Sequence, residues 1–261
     1  MDIRRSARFT IIETMLVLAI TGALVAAMFV GIGTSISIQR YRDAVTTFKD
    51  TLQEQYSALA NVSNDRSDTW SCNSAAQTVE ESGEARGQSD CVLLGRLVTV
   101  DAGEIGIYTV LGSQRASSTS GNDIAKLRSN YRLNVSSVVS ESNALEWGTE
   151  IAWPRTGSGA RTPTTPRAIS FLFIRSPDSG QLYTFTSDVA PANPTPANLQ
   201  SMLVEGASIP GQHERTICIE PTDLIPGERM AIVMSQFAVG PGAIEVMTNQ
   251  LLQSSGRTAR C

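Results

Sequence analysis

The chain opens on a short basic segment containing Arg4, Arg5 and Arg8, then runs into an apolar stretch from Phe9 to about Ile38. Glu13 is the one charged side chain inside that stretch, and no other follows until Arg40. A charge-free apolar run of roughly 20 residues is what a helix needs to cross a bilayer. Past Arg40 the pattern becomes periodic. Tyr41, Val45, Phe48, Leu52, Tyr56 and Leu59 recur at steps of three and four, while Arg42, Asp43, Lys49, Asp50, Gln53 and Glu54 fall on other faces. No proline occurs before Pro154, so a single helix is predicted from Thr10 to about Val62. At the helical rise, some fifty residues extend about 75 Å. The first half reads as lipid-facing and the second as built to pack on a domain. Gly22, Gly31 and Gly33 are the points where this helix could bend. Ala19, Ala23, Ala27 and Gly31 recur every four residues as a small-residue stripe that would permit close helix packing in an apolar medium.

Downstream, the alternation shortens to that of strands. Residues 61–90 are mainly polar and read as exposed loop, with Trp70 and Cys72 anchoring it. Val92-Leu93-Leu94 with Leu97 to Val100, Ile105 to Leu111, and Tyr131 to Val135 with Val138-Val139 are β-branched or aromatic runs divided by Gly, Ser and Asp. Ile169 to Arg175 and Gln181 to Thr186 flank Ser176-Pro177-Asp178-Ser179-Gly180 and predict a hairpin. Thr216 to Ile219 and Met230 to Met234 predict two later strands, with Asn198 to Leu203 as a short helix. Arg155 to Pro166 and Ala190 to Ala197 read as loops, and Gly240-Pro241-Gly242 breaks the chain before Ala243 to Leu252. The fold class expected is α+β: a long N-terminal transmembrane and amphipathic helix packed on an antiparallel β-sheet.

Charged residues make up 18% of the 261 and the net charge is −4, an ordinary surface without the basic excess of a general nucleic-acid binder. The three arginines ahead of the apolar run keep short flanking segments cytoplasmic, which places the N-terminus inside and the bulk of the chain outside the cell membrane. On that oxidising side Cys72, Cys91, Cys218 and Cys261 are expected in disulfides. Three pairings are open. The most local is Cys72 with Cys91 and Cys218 with Cys261; four buried free thiols is the alternative.

Little in the chain points to catalysis. His213 is the only histidine and no CxxC occurs, so neither a zinc site nor a catalytic set is indicated. No metal and no cofactor are expected, and the chain does not read as an enzyme. Arg155, Arg161 and Arg167 gather in or beside one loop, where contact with DNA or a host-surface polyanion is the sharp reading and a solvated loop the plain one. Trp147 and Trp153 are assigned to the core rather than to an exposed adhesive segment. Asn61-Val62-Ser63 and Asn134-Val135-Ser136 fit the short glycosylation triplet. Glu13 stands out, because an acid within a membrane segment costs a few kcal/mol near mid-bilayer and less toward the interface.

The segment Phe9-Thr10-Ile11-Ile12-Glu13, with a basic leader before it and an apolar helix after it, resembles type IV pilins and the pseudopilins of type II secretion systems. The match covers about the first fifty residues. Arg8 stands where that family has glycine, Thr14 where a large apolar residue is usual, and the mid-helix proline of many major pilins is absent. The resemblance implies a leader over residues 1–8, a transmembrane and assembly helix over 9–38, its amphipathic half over 39–62 and an extracytoplasmic β-rich head over 63–261. It implies cleavage by a prepilin peptidase between Arg8 and Phe9, N-methylation of Phe9, and a Glu13 carboxylate that meets the N-terminal amine of a neighbouring subunit. Cys218 and Cys261 are similar to the family's C-terminal disulfide loop. The partners implied are other pilin subunits, the peptidase, an inner-membrane assembly platform and membrane lipid. The expected function is that of a structural filament subunit, minor rather than major given its length. The alternative is a membrane-anchored binding or adhesion protein that does not polymerise.

Overall fold

A computed structural model describes residues 10–61, 69–80, 89–101, 103–115, 119–156, 166–203, 213–222 and 228–261. Its first element is one unbroken helix, α1 (Ile11–Ala60). Thr10 caps it, with extended backbone and a side-chain oxygen that accepts the Glu13 amide. The periodic face expected from sequence is the one buried: Tyr41, Val45, Phe48, Leu52, Tyr56 and Leu59 are each 3% exposed or less. Burying side chains of this size contributes on the order of 1.5–3 kcal/mol apiece.

The rest of the chain folds around that face. In order come β1 (Trp70–Cys72), β2 (Thr78–Glu80), β3 (Cys91–Asp101), β4 (Glu104–Gln114), α2 (Asp123–Asn130), β5 (Tyr131–Ala144), β6 (Thr149–Ala152) and β7 (Arg155–Thr156). They are followed by β8 (Ile169–Arg175), β9 (Leu182–Ser187), α3 (Pro196–Met202), β10 (Arg215–Pro221), β11 (Met230–Met234), β12 (Ile244–Thr248), α4 (Asn249–Ser254) and β13 (Ala259–Arg260). Five strands pair in the order β5-β4-β3-β8-β9 and four in the order β12-β11-β10-β6. Every pairing in both sheets is antiparallel. The single sheet expected from sequence is therefore two, with β1–β2 and β7–β13 as small additional pairs.

Strand alternation explains how the layers stack. On β8, Ile169, Phe171 and Phe173 join the core under α1, while Leu172 and Ile174 enter a second core on the opposite face. That second core is closed by Ile124 and Leu127 of α2 and Leu199 and Met202 of α3. On β10 and β11, Ile217, Ile219, Ile232 and Met234 point to α1, whereas Cys218, Ala231 and Val233 meet Leu252 of α4 on the far side. The amphipathic half of α1 thus lies between the inner faces of both sheets. A β-bulge between Leu93 and Gly95 reconciles the two apolar runs of β3 into one strand. A Cβ at Gly95 would sit 2.3 Å from the Phe173 carbonyl oxygen, so only glycine fits there.

The predicted β8–β9 hairpin forms. Ser176 and Gln181 close its loop by an amide-to-carbonyl bond of 2.9 Å, and Gly180 takes φ +74°. Part of the expected loop over residues 61–90 is instead the β1–β2 hairpin, tied by a Cys72–Cys91 disulfide to the start of β3. A second disulfide, Cys218–Cys261, fastens the end of the chain to β10. Both bridges follow the most local pairing.

Candidate functional site

The candidate site is the half of α1 that the fold leaves uncovered. Its most apolar window has a mean hydropathy of 2.5, and no residue of that window is buried. Ile11, Ile12, Met15, Leu18, Met28, Phe29 and Val30 are among its exposed large apolar side chains. In water such a surface would be costly, since soluble proteins rarely expose a contiguous apolar patch of more than a few hundred Å². The helix is long and apolar enough to span a membrane.

Its polar groups are arranged for an apolar medium. The hydroxyls of Thr14, Thr21, Thr34 and Ser37 each donate to a backbone carbonyl three or four residues back, at 2.8–3.1 Å. Turned inward, those oxygens need no solvent. Glu13 differs. The order Thr10-Ile11-Ile12-Glu13 has the spacing of a capping box, in which an acid at the third helical position returns a bond to the cap. Half of that box forms: the Glu13 amide donates to Thr10 Oγ1 at 3.3 Å. Among the described residues the Glu13 carboxylate has no hydrogen-bond or ion-pair partner, and the side chain is exposed. A charge near the helix N-terminus is favoured by the macrodipole by roughly 0.3–1 kcal/mol, less than its transfer into hydrocarbon would cost.

The small-residue stripe of Ala19, Ala23, Ala27 and Gly31 is likewise exposed along its whole length. Space opposite Gly22, Gly31 and Gly33 is open, with no atom within 4 Å of an added Cβ. Arg8 and Phe9 lie outside the described residues, as do Val62, Ser63 and Arg161.

At the other end of the exposed segment the helix enters the head, and its entry is fixed by two tyrosines that sequence reading placed only as core and by a glutamine that it placed on a polar face. The Tyr41 hydroxyl donates to the Ile219 carbonyl and accepts from the Met230 amide, both at 2.8 Å, linking α1 to β10 and β11. Farther along, Gln53 Nε2 donates to the Pro241 carbonyl at 2.7 Å, and the Tyr56 hydroxyl shares a 2.8 Å bond with Thr184 Oγ1. Burial pushes the Tyr56 phenol up to about 12, against a smaller lowering by the Thr184 bond. Tyr56 also packs edge-on against Phe173, with ring centroids 4.9 Å apart.

Two expectations are corrected here. Arg167 is not a loop cation open to polyanions: it is 3% exposed, donates from Nε to Asp188 at 2.8 Å and from Nη1 to the Thr216 carbonyl at 3.0 Å, and lies over Trp153. Asp188, just past β9, and Thr216 of β10 supply the acceptors that a buried guanidinium needs for its donors. Trp147 is not core. It is 54% exposed at the tip of the turn Glu146–Gly148, with the Arg40 guanidinium 4.8 Å from its ring centroid. An aromatic beside a glycine in a three-residue turn was the only sequence clue. Arg155 is exposed on β7. His213 is exposed and makes no hydrogen bond among the described residues. No group of three or more potential metal ligands occurs among the described residues. Compared with family models, with curated proteins and with solved structures, the chain matches none.

Proposed function

We propose that this chain is a structural subunit of a type IV pilus-like filament, a minor component held in the cell membrane by α1 and incorporated through it. The observation that carries this reading is the Glu13 carboxylate, left without a partner among the described residues at the head of a half-helix whose other surface is apolar. A lone carboxylate in that setting is costly. It becomes tolerable beside an ammonium, because two opposite charges desolvated together offset part of each other's burial. The resemblance of Phe9-Thr10-Ile11-Ile12-Glu13 to the prepilin motif supplies that ammonium: the amine of a neighbouring subunit's Phe9, exposed by cleavage after Arg8. The stripe from Ala19 to Gly31 would let neighbouring helices approach closely. In this reading the partners are other subunits, a prepilin peptidase and an inner-membrane assembly platform.

Substitution of Glu13 tests the proposal. Glu13→Val removes the acid and raises apolarity, so membrane insertion should persist. Incorporation into filaments should fall, because the neighbour's ammonium is left buried alone at a cost of about 3–5 kcal/mol. That corresponds to roughly two to four orders of magnitude in the incorporation equilibrium. Glu13→Val incorporated at wild-type levels would remove the role assigned to this residue. A chain that inserts and never enters a filament would instead be an anchored binding protein.

A further inference from the structure

We propose that Trp147 is a headgroup-level anchor that seats the head against the phospholipid surface of the bilayer crossed by α1; the inference rests on α1 being membrane-spanning. The first observation is conformational. Trp147 has φ +57° and ψ +31°, in the left-handed region that glycine occupies freely and a bulky residue does not. Such an outlier persists where the surroundings hold it, and it points to a function of the side chain it carries. Core packing is not that function, since Trp147 is 54% exposed.

The second observation is where the indole sits. Its ring lies 4.8 Å from the guanidinium of Arg40, the first charged residue after Glu13. Residues 14–39 carry no charge and as a helix measure about 39 Å. The hydrocarbon core is about 30 Å thick and the headgroup layers add about 10–15 Å in total. With Glu13 at one interface, Arg40 therefore emerges within the opposite headgroup layer. The height of the head is fixed at this level, because Tyr41 is bonded to both Ile219 and Met230. An indole held there meets the zone where tryptophan is favoured, its ring among acyl-chain ends and its N–H among polar groups. Phe237 is also left-handed and exposed. It belongs, however, to the connection leading to the turn Pro241–Ala243, which Gln53 holds, and Gln53 is about 20 Å farther along α1 from Arg40.

The lipid class follows from the neighbouring charges. Glu146 adjoins Trp147 and accepts from Thr47 at 3.4 Å, so the carboxylate offsets Arg40 and the contact is carried by the indole rather than by net positive charge. Zwitterionic phosphatidylcholine is a sufficient surface.

The test uses the full chain in phosphatidylcholine vesicles, plain or brominated near the headgroup end of the acyl chains. Subtracting the emission of Trp147→Phe from that of the unmodified chain isolates Trp147 from Trp70 and Trp153. Flotation with the vesicles reports insertion separately. We expect both proteins to float, and the Trp147 component to shift to shorter wavelength and lose most of its intensity in brominated lipid. A floating protein whose Trp147 component keeps its intensity overturns the proposal, and the same result with a blue shift assigns the indole to a second copy of the chain. Failure to float overturns the membrane span, and this inference with it.

Discussion

The two halves of α1 are one continuous helix with opposite surroundings. From Tyr41 to Leu59 its apolar side chains are buried between two sheets, and its tyrosine and glutamine groups are bonded to the head. From Ile11 to Ile36 the large apolar side chains are exposed, and the threonine hydroxyls bond only to their own helix. Both halves are helical throughout; what differs is where their partners come from. The second half finds them within the chain and can be read as stability. The first half is suited to partners outside it, lipid or other helices, and can be read as function.

Substitutions should separate the halves sharply. Phe48→Ala, in the clasped half, removes a ring that is 1% exposed and packs edge-on against Phe171. It should cost about 3–5 kcal/mol, read as a lower midpoint of denaturant unfolding. Leu24→Ala, in the exposed half, should leave that midpoint of the head unchanged. Equal losses from the two would break the distinction.

The disulfides confine their effect to the head. Reduction of Cys218–Cys261, spanning 43 residues, should cost about 4 kcal/mol in the chain-entropy model, and reduction of Cys72–Cys91, spanning 19, about 3 kcal/mol. Unfolding of the corresponding paired-serine variants would measure each, and the larger loss is expected at the C-terminal bridge.

Tyr56 gives the clasped half a signature in pH. Its phenol is pushed up to about 12 in the folded protein, against about 10 in an unfolded chain. Below about pH 10 both states hold the proton and the stability is intact. As pH rises from there toward 12 the unfolded state ionises first, and stability declines by up to about 2–3 kcal/mol. Tyr56→Phe should flatten that alkaline limb. At neutral pH it should cost about 1–2 kcal/mol, because Thr184 loses its partner in a buried setting.

The smallest effect is expected at the boundary of the halves. Trp147→Gly relieves a left-handed backbone worth about 1–2 kcal/mol and gives up stacking with Arg40 worth about 0.5–1 kcal/mol. Thermal unfolding of the head should shift upward slightly or stay level. A fall of several degrees would make Trp147 a packing residue.

Legibility in the sequence followed the length of the pattern. The helix and its buried face were readable because six apolar positions keep a period near 3.6 with no proline to interrupt them. The β8–β9 hairpin was readable because turn residues separate two apolar runs. α2 was missed: it is eight residues long and carries only Ile124 and Leu127 as core contacts, too short for a period to emerge. The division into two sheets was not readable either, because β8 and β11 are both nearly continuous apolar runs and nothing local says which strands they pair with. Arg167 illustrates the limit for charged groups. Its neighbours along the chain resemble a loop, and its burial depends on Asp188 and Thr216, which are distant in sequence. Glu13 was readable because one acid in a long apolar run is conspicuous without any fold.

The central claim is that Glu13 awaits an amine created by cleavage, and the mass of the mature chain in its own cells tests it most directly. The account predicts a protein lacking residues 1–8, beginning at Phe9 and carrying one additional methyl group on its amine. A mature chain that retains residues 1–8 would contradict it.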